Sequence, residues 1–109
     1  MATGEDLRRA AMALEGTVES PHFDRAAFKV HRTYVTLAAD GLTANFKFTS
    51  EEQEFKCLLA PDAFSAIPNG FGRQGWTTAI LARLSVPELQ DALRIAWQHA
   101  VAKKGRATR

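Results

Sequence analysis

Few side chains in this sequence of 109 residues suit nucleophilic or acid–base chemistry: one cysteine, Cys57, and three histidines, His22, His31 and His99. His22 and Asp24 stand two residues apart, but an acid–base pair or a metal site built on them needs a third partner that the spacing does not supply. Cys57 lacks the nearby base or helix N-terminus that would activate its thiol. We therefore interpret Cys57 as a half-buried packing residue and His22 as a residue that packs or caps at the start of a strand. No catalytic site is predicted, and the protein is not expected to be an enzyme.

Glycine-rich segments can also carry chemistry, because they let the backbone surround a phosphate. Residues 68–75 (PNGFGRQG) contain three glycines, but they lack the lysine and the helix start of a P-loop. We predict a flexible loop there, and no cofactor is expected.

The positive charge of the chain is concentrated at its C-terminal end. The formal net charge is +2, with 14 Lys and Arg against 12 Asp and Glu. Four of those cations fall in the last seven residues, and the rest of the chain carries 10 basic against 12 acidic groups. A basic terminus of this kind is either a frayed, solvated tail or a segment that contacts nucleic acid. The four cations are Lys103, Lys104, Arg106 and Arg109.

The elements that must position these residues begin with a helix. Apolar residues at helical spacing predict it over residues 5–15, with Thr3 as N-cap and Gly16 just beyond its end. The polar segment 18–26 (VESPHFDRA), which contains Pro21, is predicted to be a loop.

Three strands are predicted from residue 26 onward, because apolar and polar residues alternate there with a period of two. We expect hairpins at His31-Arg32 and at Asp40-Gly41, the second of which has the residues typical of a tight turn. The alternation predicts that these side chains lie on the outward face of the three strands: Lys29, Tyr34, Thr36, Thr43, Asn45 and Lys47.

A second helix is predicted from Ser50, because Gln53 lies three residues further on and completes a capping-box pattern. Its apolar stripe would consist of Phe55, Leu58 and Leu59. Residues 62–67 (DAFSAI) are predicted to form a short helical turn.

A fourth strand and a final helix complete the prediction. Trp76, Thr78 and Ile80 would share one face of the strand, and Ser85 with Glu88 forms the capping box of the helix. The resulting order, α-β-β-β-α-(α)-β-α, is typical of an α+β fold with two layers, in which helices cover one face of an antiparallel sheet.

Length and composition set the remaining expectations. A chain of 109 residues suits a single domain, residues 1–109, of which 103–109 form the basic tail. One cysteine excludes an internal disulfide and suits a reducing compartment. The start of the sequence lacks the apolar segment of a signal peptide, and no apolar run approaches the ~20 residues of a membrane span. We expect a cytoplasmic protein with no membrane partner.

Several strings of the sequence resemble the MmcQ/YjbR family. The most specific are Ser20-Pro21-His22-Phe23 ahead of Phe28-Lys29-Val30, and Pro61-Asp62-Ala63-Phe64 followed by Gly72-Arg73-Gln74-Gly75-Trp76. The resemblance extends from about Leu7 to Lys104 and implies a frataxin-like (CyaY-like) α+β fold, a cytoplasmic location and a role in DNA binding. A frataxin-like fold also raises iron binding as a hypothesis, although acidic residues are expected in a first helical turn for electrostatic reasons. The acidic residues concerned are Glu51, Glu52, Glu54 and Asp62.

Three functional hypotheses follow from these observations. The first is a non-enzymatic domain that binds DNA through contacts between cations and phosphates, with little sequence readout. The second is a protein-interaction module that uses Phe71 and Trp76, and the third is a metal-binding or small-molecule domain around His22, Asp24 and the second helix. The candidate residues for the first are Lys29, Arg32, Lys47, Arg73, Lys103 and Lys104.

Overall fold

A six-stranded antiparallel sheet forms one layer of the protein in a computed structural model that describes residues 1–102. The strands lie in the order β1-β2-β3-β4-β6-β5. Within residues 1–102, no helix combines the length and the apolar character that crossing a bilayer requires. The elements are α1 (Gly4–Met12), β1 (Val18–His22), β2 (Arg25–Lys29), β3 (Thr33–Leu37), β4 (Thr43–Lys47), α2 (Ser50–Leu59), β5 (Phe64–Ala66), α3 (Gly70–Arg73), β6 (Trp76–Ile80), a 3-10 turn (Leu81–Arg83) and α4 (Val86–Ala102).

The hydrophobic core lies between one face of the sheet and the helices. Phe28, Val35 and Phe46 project from neighbouring strands and are fully buried, together with Leu89 and Leu93 of α4. Since helix α1 packs against α4, both lie in the same layer. The predicted two-layer α+β architecture is therefore confirmed, including the four predicted strands.

Two segments that were predicted to be irregular or helical form strands. Residues 18–22 pair with β2 as an edge strand, where Pro21 costs little because one side of an edge strand has no partner to accept a backbone N–H. Residues 64–66 pair with β6 at the opposite edge of the sheet. The predicted loop at 68–75 contains the short helix α3. In the two strands, pairing with a neighbouring strand of the sheet overrides the local pattern.

The predicted N-caps are confirmed at two helices and displaced by one residue at the third. Thr3 with Asp6 forms the capping box of α1, and Ser85 with Glu88 forms that of α4. In α2 the N-cap is Thr49, and its partner is Glu52 rather than Gln53. The prediction of Ser50 with Gln53 is therefore wrong by one position, which leaves the Gln53 side chain available for another contact.

The predicted apolar stripe of α2 does not enter the core. Phe55, Leu58 and Leu59 are 58%, 77% and 67% exposed. The hydrophobic residues of this region that pack against the core are smaller: Cys57 within α2 and Ala60 at its C-cap. Polar contacts with α4 also hold the helix: the Lys56 ammonium lies 2.9 Å from the Asp91 carboxylate. The sequence pattern identified a helix correctly but assigned the wrong face to the interior.

A β-bulge changes the orientation of Tyr34. Phe28 pairs with Val35 and Lys29 pairs with Thr33, so Tyr34 is an extra residue in β3. Tyr34 and Val35 are consequently both buried on the helix side. The Tyr34 hydroxyl lies 2.7 Å from the Thr17 hydroxyl and donates to the Ala11 carbonyl at 3.4 Å. The prediction that Tyr34 faces outward is therefore wrong, because strict alternation does not hold across a bulge.

Candidate functional site

The face of the sheet opposite the helices, which we call the open face, carries cations and no carboxylates on its strands. Residues that pair in register share a face, and the rows Ala27–Thr36–Asn45–Thr78 and Lys47–Trp76 lie away from the core. Alternation along β2 adds Arg25 and Lys29 to this face. Glu19 is the only acidic residue within any strand of the described chain, and it lies on the helix side, 3.0 Å from the Arg8 guanidinium. The open face is therefore electrostatically suited to an anionic partner.

A groove of about 440 Å³ runs across the open face. Its floor is built from polar side chains, most of which bond to one another, so the surface that lines the groove is mainly apolar. Nε of Arg25 donates to the Thr36 hydroxyl at 2.9 Å, and the Thr78 hydroxyl donates to the Asn45 side-chain oxygen at 2.8 Å. The Asn45 amide nitrogen and the remaining guanidinium N–H groups of Arg25 are thus the donors that a ligand in the groove would meet. The lining residues are His22, Phe23, Arg25, Thr33, Thr36, Asn45, Ile67, Phe71 and Trp76.

One rim of the groove is the turn between β1 and β2. His22 pairs with Arg25, so Phe23 and Asp24 form a two-residue hairpin loop. Phe23 has a φ of 59° and is 94% exposed, and its ring stands 4.9 Å from the His22 ring. In the described chain it is the only residue other than glycine with a positive φ. Glycine, asparagine or aspartate normally occupies such a position, because the left-handed conformation is unfavourable for a bulky side chain. A strained and exposed aromatic residue points to a role outside folding.

The other rim is the segment that contains α3. Gln53 on α2 fixes it, because its side-chain nitrogen donates to the carbonyls of Gly72 and Trp76, both at 3.0 Å. The Asn69 side chain accepts the backbone N–H of Phe71 at 2.8 Å and caps this short helix. Gly72 packs so closely on the Ile67 carbonyl that a Cβ atom would overlap it. These contacts hold the half-exposed Phe71 and the partly buried Trp76 over the groove.

Further charged groups lie at the end of the sheet beside this groove. Burial lowers the pKa of the Lys47 ammonium, the nearby Arg32 cation lowers it further, and Glu52 opposes both effects. Nε2 of His99 lies 2.6 Å from the Glu52 carboxylate. Burial alone would raise the pKa of Glu52, but the backbone N–H of Thr49 and the His99 ring outweigh it, so the net shift is downward. Glu52 bonds to the N-terminus of α2 and to His99, and neither Arg32 nor Lys47 has a carboxylate within 4.0 Å among residues 1–102.

The candidate cations proposed from the sequence are partly brought together by the fold. Lys29 and Lys47 lie on the open face, Arg32 lies at the end of the sheet, and Arg73 is exposed on α3. None of these four forms an ion pair within 4.0 Å with any other residue of the range 1–102. Lys103 and Lys104 lie outside the described residues.

Two residues of the groove were missed from the sequence. Arg25 and Phe23 lie in the segment that was predicted to be a loop. The signal that could have identified them is the pair of polar residues, His22 and Arg25, separated by two residues, which is the spacing of a tight hairpin.

The residues suited to other chemistry do not converge. Burial raises the pKa of the Cys57 thiol, and a hydrogen bond with the backbone of Ala66 only partly opposes this, so the thiol is not activated. In the part of the chain that the structure describes, no three or more His, Cys, Asp or Glu side chains are grouped as metal ligands. His22 lines the open-face groove, whereas Asp24 lines a separate cleft at the edge of the sheet.

Comparisons with known proteins bear on both the sequence and the fold. A family model described as YjbR matches residues 12–99. Among solved structures, the chain is similar to the crystal structure of the Deinococcus radiodurans protein DR2400, which contains the family-model domain DUF419. The two chains share 24% sequence identity with a TM-score of 0.79, and the alignment covers 99% of this chain and 84% of the other. No curated protein matches the chain. The structural likeness shows a common fold.

Proposed function

The chain belongs to the YjbR family, and we propose that this member is a cytoplasmic, non-enzymatic module that binds nucleic acid on the open face of its sheet. The family match confirms the resemblance that the sequence strings indicated. Cations on the open face and its rims would contact phosphates, so affinity would depend mainly on charge and little on base sequence.

The observation that supports this proposal is where the cations with and without an ion-pair partner lie in the fold. The cations of the helix layer and the turns near it are mostly neutralised: the guanidinium groups of Arg8, Arg9 and Arg83 and the ammonium of Lys56 each lie within 4.0 Å of a carboxylate. Among the described residues, the cations with no such partner are Arg25, Lys29, Arg32, Lys47, Arg73 and Arg94. Four of these six lie on the open face or its rims, Arg32 lies at the adjacent end of the sheet, and Arg94 lies on α4. Unpaired cations concentrated on one face attract phosphates and release their counterions on binding.

The double substitution Lys29→Gln with Lys47→Gln tests the proposal. The slope of log affinity against log salt concentration is negative, and each phosphate contact contributes about 0.7 to 0.9 to its magnitude. Losing two contacts should therefore reduce the magnitude of the slope by about 1.4 to 1.8. Fluorescence anisotropy with labelled oligonucleotides between about 50 and 200 mM salt measures it. Arg94→Gln is the matched control, because it removes an unpaired cation from the helix layer and should leave the slope unchanged. Equal slopes for the wild-type protein and the double variant would contradict a role for the open face.

A second candidate function is protein interaction, which the exposed apolar face of α2 favours. Phe55, Leu58 and Leu59 are each more than half exposed, and an apolar cluster of this kind is a common feature of interaction surfaces. Size-exclusion chromatography over a range of protein concentrations separates the two functions. If α2 mediates self-association, the wild-type protein should elute earlier as its concentration rises, and Leu58→Glu should abolish this change. If nucleic-acid binding is the only function, the two proteins should elute identically at every concentration.

A further inference from the structure

We infer that the groove on the open face takes unpaired nucleobases, so that the ligand is a single-stranded nucleic acid rather than a duplex. This inference rests on the proposed function and specifies its ligand. Three features of the groove carry it: the aromatic rims, the polar floor and the position of the cations.

The aromatic rims provide surfaces on which bases can stack. Phe23 at the β1–β2 turn is 94% exposed, Phe71 on α3 is 60% exposed, and the partly buried Trp76 lines the same groove. Exposed aromatic rings beside a polar strand surface are the usual platform for single-stranded nucleic acid, because every base presents a π-face. In a duplex those faces are covered by the neighbouring base pairs and are not available to a protein side chain.

Phe23 gives the strongest indication that an aromatic ring is needed at this rim. Its left-handed backbone conformation is unfavourable for a bulky side chain, and its ring is almost fully exposed. Folding therefore gains little from the phenyl group at this position. Stacking of a base on the ring would give this side chain a role that folding does not explain.

The floor and the cations match the two parts of a nucleotide. The Asn45 amide and the Arg25 guanidinium face the groove and can donate to the acceptor atoms on the edge of a base. Lys47 pairs with Trp76 in the strand register, and its side chain lies with Arg32 at the end of the sheet, so a strand with one base stacked on Trp76 could continue toward these two cations. The groove thus combines aromatic and cationic side chains, and a groove that binds a nucleic-acid strand along its sugar–phosphate backbone needs both.

The same features argue against duplex as the ligand. Reading the major groove requires a helix or a two-stranded ribbon that projects into it. The two-stranded ribbon at the rim of the groove is the β1–β2 hairpin, and its two loop residues are Phe23 and the anionic Asp24. The guanidinium of Arg25, which follows them, is held back on the sheet by Thr36. The hairpin tip therefore presents no cation to a phosphate backbone.

Tryptophan fluorescence can test base stacking directly. The chain contains two tryptophans, and Trp97 is remote from the groove because its indole N–H donates to the Glu15 carbonyl at 3.0 Å. In the variant Trp97→Phe, Trp76 is the only tryptophan. We expect an oligothymidine of about 15 nucleotides to quench its emission on binding at about 50 mM salt, whereas a duplex of matched length should bind at least about tenfold more weakly. The reciprocal variant, Trp76→Phe, should bind without such quenching.

Substitutions at the rims test whether the rings supply affinity. Trp76→Ala and Phe23→Asn should each weaken oligothymidine binding by about 5- to 100-fold, which corresponds to the loss of one stacked base. Phe23→Asn should leave the melting temperature unchanged or raise it, because asparagine tolerates the left-handed conformation, so its loss of affinity cannot come from unfolding. Phe55→Ala on α2 is the control, because it removes an exposed ring from the helix layer and should not change affinity.

The outcomes distinguish this inference from the proposed function. Duplex binding as tight as single-strand binding, with no quenching of Trp76 and no effect of Phe23→Asn, would overturn the inference while leaving nucleic-acid binding in place. If neither oligothymidine nor duplex binds at about 50 mM salt, where phosphate contacts are strong, both the function and the inference are overturned.

Discussion

Replacing Gly75 by alanine is expected to destabilise the protein by about 3 kcal/mol or more, because two separate costs add at this residue. Its φ is 103°, a conformation that alanine adopts only with strain. A Cβ atom would also overlap the Phe48 carbonyl, which belongs to the segment between β4 and α2. That segment has little freedom to move, since the Gly75 carbonyl accepts the backbone N–H of Phe48 at 3.1 Å and the Thr77 hydroxyl at 2.9 Å.

Thermal denaturation followed by circular dichroism checks this prediction. For a domain of about 100 residues, a loss of this size lowers the melting temperature by about 10 °C or more. Gly70→Ala is the matched control in the same segment, since its Cβ would meet only the end of the Arg73 side chain at 3.7 Å. That control should change the stability by less than about 1 kcal/mol. A melting temperature for Gly75→Ala equal to that of Gly70→Ala would show that the Gly75 backbone is not held as described.

Replacing Tyr34 by alanine is expected to cost about 3 to 5 kcal/mol, the usual range for removing a large aromatic ring from a core. Tyr34 is fully buried. The expected loss is a large share of the total stability of a small domain, about 5 to 15 kcal/mol. Had Tyr34 lain on the outward face of the sheet, as strict alternation predicts, the same substitution would reduce nucleic-acid affinity and leave stability almost unchanged.

The conservative variant Tyr34→Phe isolates the hydroxyl group. It keeps the ring but leaves the buried Thr17 hydroxyl without its partner at 2.7 Å, which should cost about 1 to 2 kcal/mol. Burial raises the pKa of Tyr34, although the hydrogen bond with Thr17 partly opposes this. Folding therefore favours the protonated phenol, and its contribution to stability is lost as the pH rises above the ordinary tyrosine pKa of about 10.

Urea denaturation between neutral pH and pH ~11 measures both effects. The wild-type protein should lose more stability over that range than Tyr34→Phe, because only the wild type carries the buried phenol. An equal loss in the two proteins would contradict burial of the hydroxyl. Phe23→Ala serves as the exposed-aromatic control and should be neutral for folding at either pH.

The candidate site could be predicted only in part. Lys29 and Lys47 were identified correctly as outward residues, because they lie in strands where alternation is regular. Arg25 and Phe23 were missed, since the segment 18–26 is not a loop: Phe23 lies in the turn between β1 and β2, and Arg25 is the first residue of β2. Trp76 was assigned to the correct strand, but its position opposite Lys47 depends on the register between β4 and β6, which the sequence does not specify.

Local sequence determined the elements of this protein that depend on neighbouring residues. The capping boxes at Thr3 and Ser85 depend only on residues three positions apart. The strands around Phe28 and Phe46 are likewise indicated by the alternation of neighbouring residues. Tertiary structure alone decided three others: the edge strand at 18–22, the exposed face of α2 and the inward turn of Tyr34. Each depends on which segment packs alongside, near or far in the sequence, since a strand needs a partner for its backbone hydrogen bonds and an apolar side chain is buried only if another layer covers it.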